Sequence, residues 1–286
     1  MTPIGPDWSR APTRYVEAAG TRFAYRLLGA ERASGNRSVP VVMLNHWGAN
    51  LDNFDPPIVE GLAAERPVYT INYRGIGSSG GKAPLSVAAM AEDMIAAIRA
   101  LGLNEIDLIG FSLGGFVAQK ILLDAPDLVR RVILAGTGPA GGVGIDKVGA
   151  ISWPLILKGL LTFRDPKTYL FFTASATSRR AAKAFLGRLN IRKNDRDKAV
   201  GLGAFERQLK AIEAWGRQAP QPLETISQPV LIANGDHDIM VPSENSRGLA
   251  RRIPGAELIL YPDAGHGGIF QFHEAFLSKA REFLTA

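Results

Sequence analysis

The chain has 286 residues, of which 46% are hydrophobic, and 33 Lys and Arg against 27 Asp and Glu give a formal net charge of +6. This composition excludes a disordered, collagen-like or coiled-coil chain, because the apolar fraction is high and the charges are nearly balanced. The lack of cysteine excludes disulfides, thiolate nucleophiles, iron–sulfur clusters and cysteine-ligated zinc. No histidine pair has the HExxH spacing, so neither a metal nor another cofactor is expected.

The sequence carries no pattern that directs it to a membrane. There is no run of about 18 uncharged apolar residues, the length that a spanning helix needs. Residues 1–14 are polar and contain three prolines, where a signal peptide would have an apolar centre. We therefore expect a cytoplasmic protein without a membrane partner.

Short apolar runs mark the predicted strands. Tyr15–Glu17 and Arg22–Leu27 alternate on either side of a turn at Gly20 and predict a β-hairpin. Six further runs are rich in branched residues, as in strands that are buried on both faces of a parallel sheet. They are Val39–Leu44, Val68–Ile71, Ile106–Ile109, Val132–Leu134, Val230–Ala233 and Glu257–Leu260. Amphipathic segments such as Ser86–Leu101 separate them, which predicts an α/β fold with a mostly parallel central sheet flanked by helices.

The alternation of strands and helices stops after the sixth predicted strand. Four consecutive helices are predicted there, at Trp153–Phe163, Pro166–Phe172, Arg179–Leu189 and Asp197–Trp215. Helices that interrupt such a series form an inserted cap, bounded here by glycine-rich and proline-rich stretches. The predicted organisation is a core of residues 1–136 and 222–286 with a helical cap at 137–221. Within the cap, Ile151–Leu157 is expected to form an apolar core over the active site.

A candidate nucleophile stands between the fifth strand and the next helix. Residues 106–115 read IDLIGFSLGG, with Ser112 at the apex of a tight turn. In a G-x-S-x-G elbow a strained turn lifts the hydroxyl above the sheet, and Gly110 and Gly114 remove side chains that would collide across the turn. The start of the helix adds backbone N–H groups that can stabilise an oxyanion. Ser112 is therefore the predicted nucleophile.

A serine nucleophile needs a base and an orienting carboxylate, which follow it in the order Ser, acid, His in this kind of fold. His266 lies in the glycine-flanked sequence AGHGG after the last predicted strand and is the expected base. The sequence GDHDIMVP follows the preceding strand and offers two acids, Asp236 and Asp238. Asp238 is preferred, with Asp236 as the alternative.

These motifs together resemble the α/β-hydrolase superfamily over nearly the whole chain. GFSLGG, GDHDIMVP and AGHG carry the resemblance, with NYRGIGS at residues 72–78 ahead of them. The resemblance implies that the acid is the fourth residue of G-x-x-D, which is Asp238, while Asp236 would cap the turn. It also implies that the acid position used by some members after the sixth strand is empty here, because that strand ends in Ala135-Gly136-Thr137.

The oxyanion hole departs from the family pattern. One backbone donor is Leu113, which follows the nucleophile, and the other comes from the loop after the third strand. Many members have His-Gly in that loop, whereas this chain has N-H-W-G at residues 45–48. A match that preserves length puts Trp47 at the donor position, with Gly48 as the alternative, and His46 is expected to shape the loop. The bulk of Trp47 is also expected to wall the pocket and to favour small or flat acyl groups.

Two further patterns are given structural interpretations. Gly75–Gly80 matches G-x-G-x-x-G, but it follows the wrong strand for a dinucleotide site and is interpreted as a turn. Residues 164–217 hold 13 Lys and Arg against 5 Asp and Glu, spread around helices, which favours a solvated cap surface over a nucleic-acid site. His237 and His273 are assigned no functional role.

The sequence thus predicts a cofactor-free hydrolase that cleaves a small or medium apolar ester, or a related acyl compound, through an acyl-enzyme. Ser112, His266 and Asp238 would form its catalytic triad. A cofactor-free haloperoxidase or perhydrolase and a C–C bond hydrolase remain alternatives on the same triad, and a non-catalytic ligand-binding protein remains the alternative outside enzymes. The expected partner is a small-molecule substrate and not a nucleic acid, and assembly with a second copy of the chain is left open.

Overall fold

A single sheet organises the part of the chain that the computed structural model describes, residues 7–29 and 38–286. Residues 1–6 and 30–37, which both belong to the predicted core, lie outside the described residues. The eight described strands have the order β1-β2-β4-β3-β5-β6-β7-β8. They are β1 (Arg14–Ala18), β2 (Thr21–Leu28), β3 (Val41–Leu44), β4 (Val68–Ile71), β5 (Ile106–Phe111), β6 (Val129–Ala135), β7 (Val230–Gly235) and β8 (Glu257–Tyr261).

The sheet is antiparallel at one edge and parallel elsewhere. The predicted hairpin, β1 and β2, pairs antiparallel, and so do β2 and β4. The remaining neighbours are parallel. Every residue of β3, β5 and β7 is buried, as expected for strands that are covered on both faces. The predicted α/β architecture with a mostly parallel sheet is confirmed.

Helices cover the sheet and fill the connection between β6 and β7. The ten described α-helices are α1 (Pro56–Ala63), α2 (Val87–Ala100), α3 (Leu113–Asp124), α4 (Val148–Leu161), α5 (Lys167–Leu170), α6 (Ala176–Leu189), α7 (Leu202–Gly216), α8 (Glu244–Arg252), α9 (Gly268–Gln271) and α10 (His273–Thr285). In the core α1 packs against α10 and α2 against α3. Helices α4 to α7, residues 148–216, are called the helical segment below. None of the described helices combines the length and apolar character needed to cross a bilayer.

Several predicted boundaries shift for local reasons. Strand β3 begins at Val41 because Pro40 has no N–H to donate to a sheet, although its carbonyl accepts from Asp107 N–H at 2.9 Å. Helix α2 begins one residue later than predicted because Ser86 is its N-cap and accepts from Ala89 N–H at 3.2 Å.

The helices of the helical segment differ more from their predictions. Helix α4 begins at Val148, five residues before the predicted Trp153, and its buried Gly149 packs against α7, where the nearest Leu209 methyl lies 3.2 Å from the position of a β-carbon. Helix α7 begins at Leu202 and not at Asp197, whose carboxylate instead accepts from backbone N–H groups of the core. An acceptor side chain that is used in this way favours an irregular backbone over a helix.

Candidate active site

Ser112 occupies a strained turn between β5 and α3. Its φ of +55° is one that residues other than glycine rarely adopt. Close backbone contacts surround the turn: a β-carbon on Gly110 would lie 2.3 Å from Gly114 O, and one on Gly114 would lie 2.2 Å from Leu44 O. Only glycine fits at both positions, so the sequence folds into an elbow that presents the serine hydroxyl at the carboxyl end of the sheet.

The hydroxyl of Ser112 contacts His266, which lies 154 positions further along the chain. The distance from His266 Nε2 to Ser112 Oγ is 2.9 Å, and the imidazole is 1% exposed. The rings of Phe111 and Phe171 pack against it, with centroid distances of 5.0 and 5.3 Å. A base held in one orientation within hydrogen-bond reach of a hydroxyl can take its proton.

Asp238 is buried behind the imidazole, on the loop that follows β7. Its Oδ2 lies 2.7 Å from His266 Nδ1, while its Oδ1 accepts from the N–H groups of Met240 and Val241 at 2.8 and 3.0 Å. Both carboxylate oxygens therefore have partners, and the carboxylate has a fixed direction. A carboxylate at Nδ1 places the proton there and leaves the Nε2 lone pair facing the serine.

Asp236, the alternative acid, points elsewhere. Its Oδ1 lies 2.5 Å from Nδ1 of the exposed His237 and accepts from Ala264 N–H at 3.3 Å. It has no contact with His266 among the described hydrogen bonds. The structure thus brings together Ser112, His266 and Asp238 and leaves Asp236 in the turn.

The two candidates for the second oxyanion donor differ in their hydrogen bonds. The N–H of Gly48 donates to Gln208 Oε1 of α7 at 2.9 Å, so it is already used. The N–H groups of Trp47 and Leu113 have no acceptor within the described ranges of the chain. The Trp47 indole stacks on Phe205 at a centroid distance of 4.2 Å. The free donors are therefore those of Trp47 and Leu113.

His46 contacts the backbone of Trp47 as a neutral imidazole. Burial lowers its pKa to about 3, and the positive charge of Lys167 acts in the same direction. Its Nδ1 lies 2.7 Å from Trp47 O and its backbone N–H donates to Asn45 Oδ1 at 2.8 Å. Because the ring is neutral and a carbonyl can only accept, Nδ1 carries the proton and ties the ring to the peptide that follows Trp47.

Ser112 and His266 open into a cavity of about 200 Å³. Its lining is mostly apolar, and the helical segment contributes Val148, Ile156, Leu170, Phe171, Phe205 and Ile212. One charged pair also reaches the lining, with Lys167 Nζ 3.4 Å from Asp165 Oδ2. Lys167, Phe205 and Gln208 could not be assigned to the site from the sequence, because nothing in the local sequence around them indicates a site.

Two expectations about the helical segment are wrong in part. Ile156 lines the cavity as predicted for the stretch Ile151–Leu157, but Trp153 and Leu157 are exposed. The basic stretch is not entirely solvated. Arg188 binds both carboxylate oxygens of the buried Asp55 at 2.7 Å, and the buried Arg192 donates to backbone carbonyls near the N-terminus.

Neither the acidic and histidine side chains nor the glycine motif of the described residues is arranged as a cofactor site. No group of three His, Asp or Glu side chains is close enough to hold a metal ion within residues 7–29 and 38–286. Gly75–Gly80 forms the predicted turn, in which Gly75 N–H donates to Gly80 O at 2.8 Å. The N–H of Ser78 in this turn donates to Asp197 Oδ1 at 2.8 Å, so a phosphate would have to displace that carboxylate.

Comparison with known proteins places the chain in a class. The sequence profile of the α/β-hydrolase fold matches residues 39–272. The chain therefore belongs to the α/β-hydrolase family, and the predicted enzyme class is confirmed.

Individual relatives are similar over most of their length. A pimeloyl-[acyl-carrier protein] methyl ester esterase from Neisseria meningitidis serogroup B is 28% identical over 264 residues, covering 89% of this chain and 96% of the relative. A poly(3-hydroxyalkanoate) depolymerase from Ectopseudomonas oleovorans is 28% identical over 252 residues, covering 86% and 84%. Among solved structures, an alpha/beta hydrolase fold protein from Chitinophaga pinensis has a TM-score of 0.90 and 38% identity, covering 97% of this chain and 98% of that chain.

Proposed function

We propose that the protein hydrolyses small or medium apolar carboxylic esters, with Ser112 as nucleophile, His266 as general base and Asp238 as the orienting acid. The observation that carries this proposal is the hydrogen-bonded series from Ser112 Oγ to His266 Nε2 and from His266 Nδ1 to Asp238 Oδ2. It lies at the floor of an apolar cavity. A nucleophile, its base and the group that orients the base are the parts that acyl transfer requires.

The reaction would proceed in two steps. Ser112 Oγ attacks the ester carbonyl while its proton passes to His266 Nε2, and the imidazolium is stabilised by the carboxylate of Asp238. His266 then gives the proton to the leaving alkoxide, so the alcohol departs and an acyl-enzyme remains. A water that loses its proton to the same Nε2 attacks the acyl carbonyl, and the released serine oxygen recovers the proton.

The negative charge that develops on the carbonyl oxygen needs preorganised donors. The N–H groups of Leu113 and Trp47 suit this role because both lack an acceptor in the described structure, whereas Gly48 N–H is bonded to Gln208. Donors of this kind typically contribute about 3 to 4 kcal/mol each to the stability of the transition state.

The cavity supports an apolar acyl group of modest size. Its volume of about 200 Å³ and its mostly apolar lining suit an acyl group of small or medium size. Residues 137–221 would act as the cap that closes this cavity, since six of its apolar lining residues come from the helical segment. The similarity to an enzyme named as a methyl ester esterase agrees with this substrate class.

The proposal is tested by replacing the nucleophile. Ser112→Ala should lose ester turnover and covalent labelling by a fluorophosphonate, because the substitution removes the attacking oxygen. The matched control is Ser278→Ala on the exposed face of α10, which should keep both. Turnover of 4-nitrophenyl acetate, butyrate and octanoate is measured by release of the phenol. Labelling of Ser112→Ala at the wild-type rate would overturn the assignment.

A second arm separates hydrolysis from transfer to peroxide. The same esters are supplied with and without hydrogen peroxide, and peracid is measured beside the carboxylic acid. We expect the carboxylic acid as the main product under both conditions. Peracid as the main product would replace the proposed hydrolase by a perhydrolase on the same residues.

A further inference from the structure

Helix α4 is apolar on the face that it shows to solvent as well as on the face that it buries. Ile156 lines the catalytic cavity on the inner side. The outward side chains are large and uncovered, with Leu160 65% and Leu161 71% exposed, and Trp153 and Leu157 are exposed as well. A helix that is apolar all round normally has a partner on every side, and contiguous exposed apolar side chains mark an interaction surface.

The turn after α4 extends this surface. Phe163 is 98% exposed and has a φ of +52°, a conformation in which glycine is usual. The turn is closed by Arg164 N–H, which donates to Gly159 O at 2.9 Å, and by Phe163 N–H, which donates to Leu160 O at 3.3 Å. Internal packing does not explain a bulky aromatic side chain at this position, because almost none of its surface is buried.

Unpaired positive charges lie beside the apolar residues. A groove of about 710 Å³ runs along α4 and is lined by Lys158, Arg164 and Arg179. None of these three forms an ion pair with any residue of the described chain, and no Asp or Glu lines the groove. Lys158 lies over the ring of Tyr169 at 4.6 Å. The groove therefore has a net positive charge and suits anionic groups.

We infer that this face, formed by Trp153, Leu157, Leu160, Leu161 and Phe163 with Lys158, Arg164 and Arg179, docks on an anionic lipid surface. The apolar side chains enter the interfacial region, and the cations contact lipid phosphates. Both halves of the face are matched by a lipid surface, which has anionic groups above apolar chains. A second copy of this chain would match only the apolar half, since a symmetric contact presents the same face twice and no described Asp or Glu lines the groove to neutralise its cations.

Such docking leaves the protein on the lipid surface and not across it. It differs from the sequence-based expectation of no membrane partner, because that expectation considered only spanning and anchoring segments. The inference concerns the outer surface of α4 and is independent of the reaction proposed for Ser112. Binding can therefore be tested whether or not esters are turned over.

The test is sedimentation of the full chain with sucrose-loaded vesicles at 0.1 M salt. Vesicles of phosphatidylcholine alone are compared with vesicles containing 30% phosphatidylglycerol. We expect at least tenfold tighter binding to the anionic vesicles. The double variant Leu161→Ser, Phe163→Ser should lose at least tenfold of that affinity, and so should Lys158→Ala, Arg164→Ala. The matched control is Ile191→Ser, an exposed apolar residue outside this face, which should bind as the wild type does.

Unfolding curves for each variant separate a loss of binding from a loss of fold, and all the replaced side chains are on the surface. Equal affinity for the two vesicle types, or unchanged binding by both double variants, would overturn the inference. A wild-type dimer in light scattering that the Leu161→Ser, Phe163→Ser variant converts to monomer, without vesicle binding, would assign the face to a second copy instead.

Discussion

The floor of the cavity at Ser112, formed by the core, and its roof, formed by the helical segment, are built by different means. The floor is held by the main chain: Ser112 stands on a turn where Gly110 and Gly114 leave no room for a β-carbon, and Asp238 accepts from two backbone N–H groups. The roof is held by side chains of the helical segment. Phe205 stacks on Trp47, and Gln208 accepts from Gly48 N–H.

Because of this difference, the residues proposed to carry out the reaction are largely distinct from those that hold the walls of the cavity in place. Main-chain geometry fixes atoms to within fractions of an ångström because few torsions are free, which is what proton transfer requires. The roof is held in place by long side chains, and a substitution can remove one of these contacts while the others remain. Changes in the floor should therefore act on kcat, and changes in the roof should act on stability and on substrate choice.

The largest effect is expected in the floor, at Asp238. Asp238→Asn should lower kcat about 10⁴-fold, because an amide at His266 Nδ1 favours the wrong tautomer of the ring. Asp236→Asn is the matched control, since Asp236 faces His237, and it should change kcat less than about threefold. Steady-state turnover of 4-nitrophenyl butyrate measures both. Equal losses of kcat in the two variants would contradict the assignment of Asp238, and not Asp236, as the acid that orients His266.

The next effect is expected in the roof, at the pair between Arg188 and Asp55. Arg188→Met should reduce the free energy of unfolding by about 3 to 5 kcal/mol, because it leaves the buried Asp55 without its partner. Burial raises the pKa of Asp55, so its charged form depends on that partner. Urea unfolding gives the stability, and kcat is measured on the folded fraction.

Arg196→Met is the control for the Arg188 variant. Its partner Asp52 keeps a second cation, Arg26, and Arg196 is half exposed, so the loss should stay below about 1 kcal/mol. If Arg188→Met lowered kcat by more than about tenfold at unchanged stability, the expectation that roof residues act on stability and not on kcat would be wrong.

The smallest effect is expected where floor meets roof, at His46. Its folded-state pKa of about 3 lies below the unfolded value of about 6.5, so the unfolded chain binds the extra proton first as the pH falls. Stability should therefore decrease by about 1.4 kcal/mol per pH unit between pH 6 and pH 4 on account of this group. Above pH 7 the contribution should be constant.

In the variant His46→Gln, the free energy of unfolding should not show this part of its decrease with falling pH, whatever its value at neutral pH. His237→Gln should keep it, because that imidazole is exposed. Urea unfolding at pH 7, 6, 5 and 4 gives the three slopes. A wild-type slope identical to that of His46→Gln would mean that His46 is protonated in the folded protein.

The floor could be predicted from the sequence because its determinants are local. The glycines around Ser112, the turn that carries Asp238 and the loop that carries His266 each define a backbone shape within a few residues. The chain order of these motifs then indicated which strand ends meet. The parallel strands could also be predicted from short runs of branched apolar residues, because a strand that is buried on both faces is apolar at nearly every position.

The roof could not be predicted because its contacts join distant positions. Gln208 meets Gly48 across 160 residues and Arg188 meets Asp55 across 133, with no motif around either partner. The start of α4 was placed too late because Gly149 is a poor helix former and gives no local helix signal, although it is buried within the helix. The basic stretch was interpreted by its charge alone, whereas the packing decides which of its cations are solvated.

The irregular stretch between α6 and α7 ties the helical segment to the core through hydrogen bonds that involve charged side chains. Asp197 accepts from Ser78 and Leu51 N–H groups, and Arg192 donates to Ala11 O. Helices α4 and α5 make no described side-chain hydrogen bond to the core, and the bond of Lys167 to Asp165 stays within the helical segment. Substitutions at Ile156, which lines the cavity and is only partly buried, should therefore reshape the cavity at a smaller cost in stability than substitutions at Asp197. In this way the enzyme can diversify its specificity and inherit its chemistry unchanged.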